Sequence, residues 1–201
     1  MKHSIWLDDD DDEKEPEDRG AGADLLMEKM LKTRAIILSG EIRKDLAERT
    51  IRQLVLLEDR GAEPIHIFID SPGGDADAGY AIFDMIRFIK AEVWTIGMGL
   101  VASAAAIIAL ASPKEHRLGL PNSHYLIHQP LSGIRGVASD IEIHARELEK
   151  LRRKINLLIA AESGTPYEQV EKDTDRDFWM NADEAVRYGL IARVITRRDE
   201  L

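Results

Sequence analysis

The sequence predicts an α/β fold in which parallel strands alternate with helices. Residues 64–70 form an apolar strand, which is followed by a turn with two glycines at 71–75 and by a helix with apolar residues at helical spacing. The same order returns at residues 92–110 as a strand, a glycine-rich turn and a helix of small apolar residues. Successive strand–turn–helix units indicate parallel strands joined by right-handed crossovers. Their turns lie at the carboxyl ends of strands, where open α/β sheets build their sites.

The hydrophobic pattern of the remaining residues predicts further strands and helices around these two units. Strand 64–70 is apolar at most positions, which is typical of a sheet covered on both faces. We expect further strands at 34–40, 123–130 and 190–195, and further helices at 24–32, 45–60 and 182–188, with a short helix after Pro166.

A long helix is predicted at about 139–162. Its apolar residues follow one another in steps of three or four and form a single stripe: Ile141, Ala145, Leu148, Leu151, Ile155 and Leu158. The helix is long for a domain of this size. The stripe is equally compatible with packing in the chain's own core and with packing against a partner subunit.

Residues 1–22 are predicted to form an arm outside the folded domain, which we place at residues 23–201. Five consecutive aspartates occupy positions 8–12, and four more acidic residues follow by position 18. Such a block of like charge repels itself and has no apolar surface to bury, so we expect it to be disordered. The alternative is an acidic gate or docking tail.

Composition and net charge exclude several classes of function. The 201 residues carry a formal net charge of −10, which argues against a nucleic acid partner because phosphate binding needs a basic surface. The absence of cysteine excludes thiol nucleophiles, disulfides and cysteine-ligated zinc. The longest apolar run, 101–111, is too short to span a membrane, and the N-terminus has no apolar signal segment. We therefore expect a cytoplasmic protein with no membrane partner.

Ser103 is the first candidate for a catalytic residue. It is the only side chain with a reactive oxygen between Thr95 and Ser112, and it is placed where a helix would begin. Unpaired N–H groups and the positive end of the helix dipole at that point would stabilise an oxygen that becomes negative during a reaction. The alternative is that the hydroxyl only caps the helix.

A serine nucleophile needs a base and a group that orients the base. His128 lies at the carboxyl end of a predicted strand, level with Ser103, and His124 is its nearest competitor among the six histidines. Three aspartates of one irregular segment are equivalent candidates for the orienting carboxylate: Asp173, Asp175 and Asp177.

The G-x-S-x-G nucleophile elbow is absent, which excludes the common α/β-hydrolase pattern. No zinc-protease, EF-hand, Walker A or dinucleotide-binding motif is present, and we expect no metal site.

Six motifs between about residue 24 and the C-terminus share the order and spacing of one enzyme family. They are Ile69–Gly74, Met98–Ala106, Leu120–Ser123, Ile127–Pro130, Asp140–Glu147 and Asp173–Asp177. Together they resemble the proteolytic subunit of the Clp (caseinolytic) protease, the ClpP family. The resemblance implies a ClpP/crotonase-like α/β fold of repeated βαβ units, from which the long helix projects as a handle.

The same resemblance implies a serine endopeptidase that degrades unfolded polypeptides through an acyl-enzyme. Ser103 matches the nucleophile of the family, His128 the base and Asp177 the orienting acid. The backbone N–H groups of Gly74 and Ala104 match the oxyanion hole.

The resemblance also implies partners. Family members assemble with copies of themselves into two stacked heptameric rings, and an AAA+ Clp unfoldase delivers the substrate. The unfoldase uses the ATP, so no cofactor is expected in this subunit. Asp175 and Arg176 match a pair that links ring contacts to the active conformation, and Phe68 and Phe88 match part of the apolar cleft where unfoldases dock.

Three features depart from the family pattern. Ala104 and Ala105 stand where Met-Gly is usual, His66 stands where the docking cleft usually has an aromatic residue, and the arm is more acidic than the family's axial segments. The departures keep open the alternative of a weakly active or structural subunit of a mixed ring. A crotonase-type acyl-CoA enzyme is a second alternative, because that family shares the fold and the oxyanion-binding backbone.

Overall fold

The computed structural model describes residues 28–201. The predicted acidic arm and the first part of the helix predicted at 24–32 lie outside these residues, and the described chain is helical at 28–32. One mixed sheet contains seven strands: β1 (Ala35–Ser39), β2 (Ile65–Ser71), β3 (Val93–Ala102), β4 (Arg117–Gly119), β5 (His124–Ile127), β6 (Phe178–Asn181) and β7 (Arg193–Val194). The larger helices are α1 (Lys44–Arg60), α2 (Ala76–Phe88), α3 (Ala104–Ala109), α4 (Ala138–Ser163), α5 (Tyr167–Asp173) and α6 (Ala182–Tyr188). None of these helices is long and apolar enough to cross a bilayer.

The sheet is parallel along the order β1-β2-β3-β4-β7, as the repeated strand–turn–helix pattern predicts. Strand β3 has different neighbours along its two halves. Its first half, Thr95–Gly97, pairs with β4, and its second half, Leu100–Ala102, pairs in parallel with β5. Strand β6 is antiparallel to β5 and brings the segment that precedes it to the end of β5.

The glycine-rich turn predicted after residue 96 is wrong, because β3 continues to Ala102. Two successive residue pairs join β2 to β3 here, Ile69 with Gly97 and Ser71 with Val101. Between these pairs β3 advances by four residues, whereas β2 advances by two. Gly99 adopts φ +55°, and a Cβ there would lie 2.6 Å from Oδ1 of Asp70. That oxygen accepts the Leu100 N–H at 3.0 Å. The glycine therefore makes a bulge that bends the strand without ending it.

Several strand predictions also need correction. The strand predicted at 190–195 pairs only over Arg193–Val194, and the strand predicted at 123–130 ends at Ile127. The short strands β4 and β6 were not predicted. Strands of three or four residues have too few positions to show the period of two that identifies a strand in sequence.

Helix α3 is built from small and apolar residues because it is enclosed on all sides. Every residue from Ala104 to Ala109 is buried. A Cβ added to Gly79 on α2 would lie only 3.2 Å from the Cβ of Ala104, so the two helices approach closely at this point. This close packing places the N-terminal end of α3 beside the turn that follows β2.

Helix α4 extends one residue beyond the predicted range at each end and projects from the domain. Its buried residues all lie in its C-terminal third: Ile155, Asn156, Ile159 and Ser163. In its first half, Ile141 is 43% exposed and Ile143 is 58% exposed. The apolar stripe is therefore divided, with one end in the core of this chain and the other end uncovered.

A buried arginine attaches the C-terminal end of α4 to the sheet. The side chain of Arg117, at the start of β4, is 1% exposed. Its guanidinium donates to the carbonyl oxygens of Ser112 at 2.6 Å and Glu162 at 2.9 Å, and it pairs with the Glu162 carboxylate. A buried charge is tolerated here because it has both an ionic partner and carbonyl acceptors.

Replacement of Arg117 by methionine is expected to lower the free energy of unfolding by about 3 kcal/mol, because it leaves two buried carbonyl groups without this donor and Glu162 with Arg87 as its remaining partner. Arg52→Met is the matched control, since Arg52 pairs with Glu48 on the exposed face of α1 and its loss should cost less than about 1 kcal/mol. Denaturant unfolding at one fixed protein concentration measures both. Equal losses in the two variants would contradict a structural role of the buried pair.

Candidate active site

Ser103 occupies a strained position between β3 and α3. Its φ of +55° and ψ of −122° are unusual for a residue with a side chain. The backbone is held there because the Ser103 N–H donates to the carbonyl oxygen of Leu126 on β5 at 2.9 Å. The hydroxyl does not cap α3, which removes the capping interpretation. It lies instead 2.8 Å from Nε2 of His128.

His128 follows directly after the last residue of β5, and its two ring nitrogens have different partners. Nε2 contacts Ser103 Oγ, and Nδ1 lies 3.0 Å from Oδ1 of Asp177. The imidazole is 16% exposed, whereas the Asp177 side chain is 61% exposed. His124 is at the opposite end of β5 and is exposed, so the competing histidine does not take part in this arrangement.

The three aspartates that the sequence left equivalent have different environments. Asp173 accepts hydrogen bonds from Gln169 and Tyr188, and Asp175 pairs with Arg152 of α4 at 3.3 Å. Asp177 alone among the three contacts His128. Within residues 28–201, no three His, Asp or Glu side chains are grouped so that they could hold a metal ion.

The segment that carries Asp177 is attached on two sides. Gln129, the neighbour of His128, donates its backbone N–H to Thr174 O at 2.6 Å and its side-chain amide to Asp175 O at 2.6 Å. Thr174 is fully buried and donates its hydroxyl to Asn156 of α4 at 2.8 Å. These bonds fix the distance between His128 and Asp177. Gln129 and Thr174 lie within two of the motifs that carry the resemblance, but neither they nor Asn156 were predicted to attach this segment, because the role depends on contacts between distant parts of the chain.

The turn after β2 brings Gly74 to the same place. Gly73 and Gly74 adopt φ values of +88° and +146°, which residues with a Cβ rarely adopt. Backbone hydrogen bonds between Ile42 and the residues of this turn hold the turn closed. Within the turn, the Gly73 N–H donates to Ser71 Oγ at 3.1 Å. Among the described residues, neither the Gly74 nor the Ala104 N–H donates a hydrogen bond within the chain. Two unpaired amides beside a hydroxyl suit a nascent oxyanion.

Gly74→Ala is expected to lower kcat by about 10²- to 10³-fold, because the added Cβ would lie 2.4 Å from Ile42 O and displace the Gly74 amide. Gly133→Ala is the matched control: nothing lies within 4 Å of a Cβ added there. Hydrolysis of a short peptide, the reaction that the family resemblance implies, measures the effect, with thermal unfolding as a check on folding. A Gly74→Ala variant as active as Gly133→Ala would contradict an oxyanion role for this turn.

The hydroxyl, the imidazole and the two amides open onto one cavity of about 430 Å³. Its walls are mainly apolar and come from α2, α3, β5 and α4: Tyr80, Ile107, Ile127, Leu151, Ile155 and Ile159. Tyr80 was not among the predicted site residues, because on an amphipathic helix it has the spacing of a core residue. A cavity with apolar walls and a few convergent polar groups is typical of a binding site.

The residues predicted for ring contacts and docking lie outside this cavity. Arg176 is exposed, and its neighbour Asp175 pairs with Arg152 of the same chain. Phe68 packs on a small buried cluster of Ile96, Leu118 and Ile195, whereas Phe88 is 83% exposed at the end of α2. Within one chain, therefore, the two phenylalanines do not belong to one cluster.

Comparison with known proteins decides the family. The family model described as Clp protease matches residues 18–198 of this chain. The chain belongs to the Clp protease family. It is therefore a serine peptidase of the Clp type, and the alternative of a crotonase-type acyl-CoA enzyme is not supported.

Similar proteins come from several bacteria. The ATP-dependent Clp protease proteolytic subunit 2 of Treponema denticola is 67% identical over 89% of this chain and 90% of its own length. The protein of the same name in Borreliella burgdorferi is 48% identical over 94% and 96%. Among solved structures, a point mutant of ClpP1 from Listeria monocytogenes has a TM-score of 0.82 at 48% identity and covers 87% of this chain and 98% of its own. The ClpP-like fold predicted from the motifs is confirmed.

Proposed function

We propose that this Clp protease chain is a serine endopeptidase in which Ser103, His128 and Asp177 form the catalytic triad. The observation that carries the proposal is the continuous pair of contacts from Ser103 Oγ to His128 Nε2 at 2.8 Å and from His128 Nδ1 to Asp177 Oδ1 at 3.0 Å. A nucleophile, a base and an orienting acid in this order are the arrangement that acyl transfer requires.

In the first step, Ser103 Oγ attacks the carbonyl carbon of a peptide bond while His128 Nε2 takes the hydroxyl proton. The carbonyl oxygen becomes negative and accepts hydrogen bonds from the Gly74 and Ala104 amides. His128 then gives its proton to the leaving amine, and the acyl group stays on Ser103. Water, deprotonated by His128, attacks the acyl-enzyme and releases the second product. Asp177 stabilises the imidazolium and keeps Nε2 facing the hydroxyl.

We further propose that copies of this chain form two stacked heptameric rings. The exposed apolar residues in the first half of α4, Ile141 and Ile143, support a contact between subunits in that region. Asp175 and Arg176 are adjacent to the triad aspartate, so a contact of theirs with another subunit would act on Asp177. In this proposal, assembly exchanges the Arg152–Asp175 pair within the chain for pairing between rings.

The proposed partner is an AAA+ unfoldase that delivers unfolded polypeptides. The relatives' names include "ATP-dependent", and this subunit is proposed to need no cofactor of its own. Docking would involve the exposed Phe88 of one subunit and Phe68 of another, since one chain does not bring them together.

A catalytically weak subunit of a mixed ring is the second candidate. The relatives are named as numbered subunits, which favours an assembly of more than one kind of chain. Ala104, in place of the usual methionine, lines the cavity beside Ser103 and could alter its activity.

The test combines sedimentation with hydrolysis of a short fluorogenic peptide by the purified chain alone. The proposal predicts a particle of fourteen subunits that cleaves the peptide, with cleavage lost in Ser103→Ala. A particle of the same size that cleaves only after a second kind of Clp subunit is added would favour the mixed ring. Cleavage by Ser103→Ala at more than about a hundredth of the wild-type kcat/KM would contradict the triad.

A further inference from the structure

Tyr188, the last residue of α6, contacts both ends of the segment 173–178 that carries Asp177. Its hydroxyl donates to Oδ2 of Asp173, the last residue of α5, at 3.1 Å. Its ring lies 5.6 Å, centre to centre, from the ring of Phe178, the first residue of β6. One side chain thus holds the residues on both sides of Asp177.

The hydrogen bond to Asp173 joins two helices, α5 and α6, that are separated in the chain by β6. Asp173 also accepts a hydrogen bond from Gln169, but Gln169 belongs to α5 itself and links no second element. Burial raises the pKa of Tyr188, so its hydroxyl keeps its proton at neutral pH and can donate. The backbone of Tyr188 is itself held, because its carbonyl oxygen accepts the Thr165 hydroxyl at 3.0 Å.

The ring contact with Phe178 leads directly to the catalytic base. In the antiparallel pair of β5 and β6, Phe178 is the partner of Ile127, the residue before His128. The next positions along the two chains are Asp177 and His128, whose side chains meet at 3.0 Å. The Asp177 side chain is 61% exposed, so packing around the carboxylate holds it only weakly. Its position depends on how the neighbouring residues of its segment are held.

We propose that Tyr188 is a positioning residue, which holds the segment 173–178 so that Asp177 meets Nδ1 of His128. This inference rests on the proposed function, because it takes Asp177 as the group that orients the base. Loss of the Tyr188 hydroxyl frees the Asp173 end of the segment, while the ring keeps its contact with Phe178. Asp177 then spends part of its time away from His128, and a smaller fraction of the protein has an aligned triad.

Tyr188→Phe tests the inference, because it removes the hydroxyl and keeps the ring. For a short fluorogenic peptide, kcat is expected to fall about tenfold with little change in KM, since the base is needed for the reaction and not for substrate binding. In an Asp177→Asn background the same substitution should change kcat by less than about twofold, because holding the segment has no catalytic value once its carboxylate is gone. A merely structural role of Tyr188 would lower kcat by the same factor in both backgrounds.

Tyr167→Phe is the matched control. The Tyr167 hydroxyl also donates to a carboxylate, that of Glu171 on the exposed side of α5, and its removal should leave kcat unchanged. Sedimentation and thermal unfolding check the assembly and the folding of every variant. A Tyr188→Phe protein with the kcat of Tyr167→Phe, or one that loses the same factor with and without the Asp177 carboxylate, would overturn the inference and leave the proposed function standing. An Asp177→Asn protein that keeps more than about a tenth of the wild-type kcat would overturn the orienting role of Asp177, and the inference with it.

Discussion

Ser103→Ala is expected to lower kcat/KM for peptide hydrolysis by about 10⁶-fold, the loss seen when the nucleophile of a serine peptidase of another fold is removed. The reason is that, among residues 28–201, the only hydroxyl bonded to His128 is that of Ser103: Nε2 contacts Ser103 Oγ at 2.8 Å, and the other ring nitrogen is occupied by Asp177. The oxyanion amides remain, so the residual rate should still exceed that of water alone. Steady-state hydrolysis of a fluorogenic peptide measures the loss.

Ser112→Ala is the control for this variant. Ser112 lies just beyond the far end of α3, and its buried hydroxyl has no partner among the described residues, so its removal leaves no other group unpaired. Its activity should match that of the wild type. A Ser103→Ala variant that retains more than about a hundredth of the wild-type kcat/KM would contradict covalent catalysis at this residue.

Asp177→Asn is expected to lower kcat by about 10³- to 10⁴-fold and to change KM far less. The amide keeps the shape of the carboxylate but carries no charge, so it cannot stabilise the imidazolium, and it favours the wrong tautomer of His128. Asp177 is 61% exposed, yet it faces Nδ1 directly at 3.0 Å, and its segment is attached to Gln129 and Thr174. Single-turnover kinetics would locate the loss in acylation.

Asp183→Asn is the control, because Asp183 lies on the exposed first turn of α6 and loses the same charge away from the cavity. Sedimentation of both variants separates chemistry from assembly. An Asp177→Asn protein that assembles normally and loses less than about tenfold in kcat would contradict the orienting role of Asp177. Such a result would direct attention to water or another carboxylate as the partner of His128.

Much of the fold could be predicted because its main signals are local. Strand 64–70, the two-glycine turn and helix α2 follow one another with clear periodicity, and α4 was predicted to within one residue at each end. The path of β3 could not be predicted in this way. Its glycines have the composition of a turn, and the strand is shown to bend and continue only by tertiary contacts, namely its pairing with β2 and β5 and the hydrogen bond from Leu100 to Asp70.

The residues of the candidate site also fall into two groups, those that a local sequence signal predicts and those whose role depends on tertiary contacts. Ser103 and His128 have positional signals, since Ser103 stands where a helix is predicted to begin and His128 stands at the carboxyl end of a predicted strand. Position does not distinguish Asp177 from Asp173 and Asp175, because pairing with His128 depends on β6 returning antiparallel to β5. The family resemblance selected Asp177, and the structure places its Oδ1 3.0 Å from His128 Nδ1. Tyr80 was missed because an apolar cavity wall and a protein core select the same kinds of residue.

The most direct test of the account is the mapping of a fluorophosphonate adduct by mass spectrometry on the assembled, peptide-cleaving protein. The account predicts a single adduct on each chain, located on Ser103, and its loss in His128→Ala, where the hydroxyl has no base to take its proton. Protein that cleaves peptides but carries no adduct on Ser103, or carries it on another residue, would contradict the account.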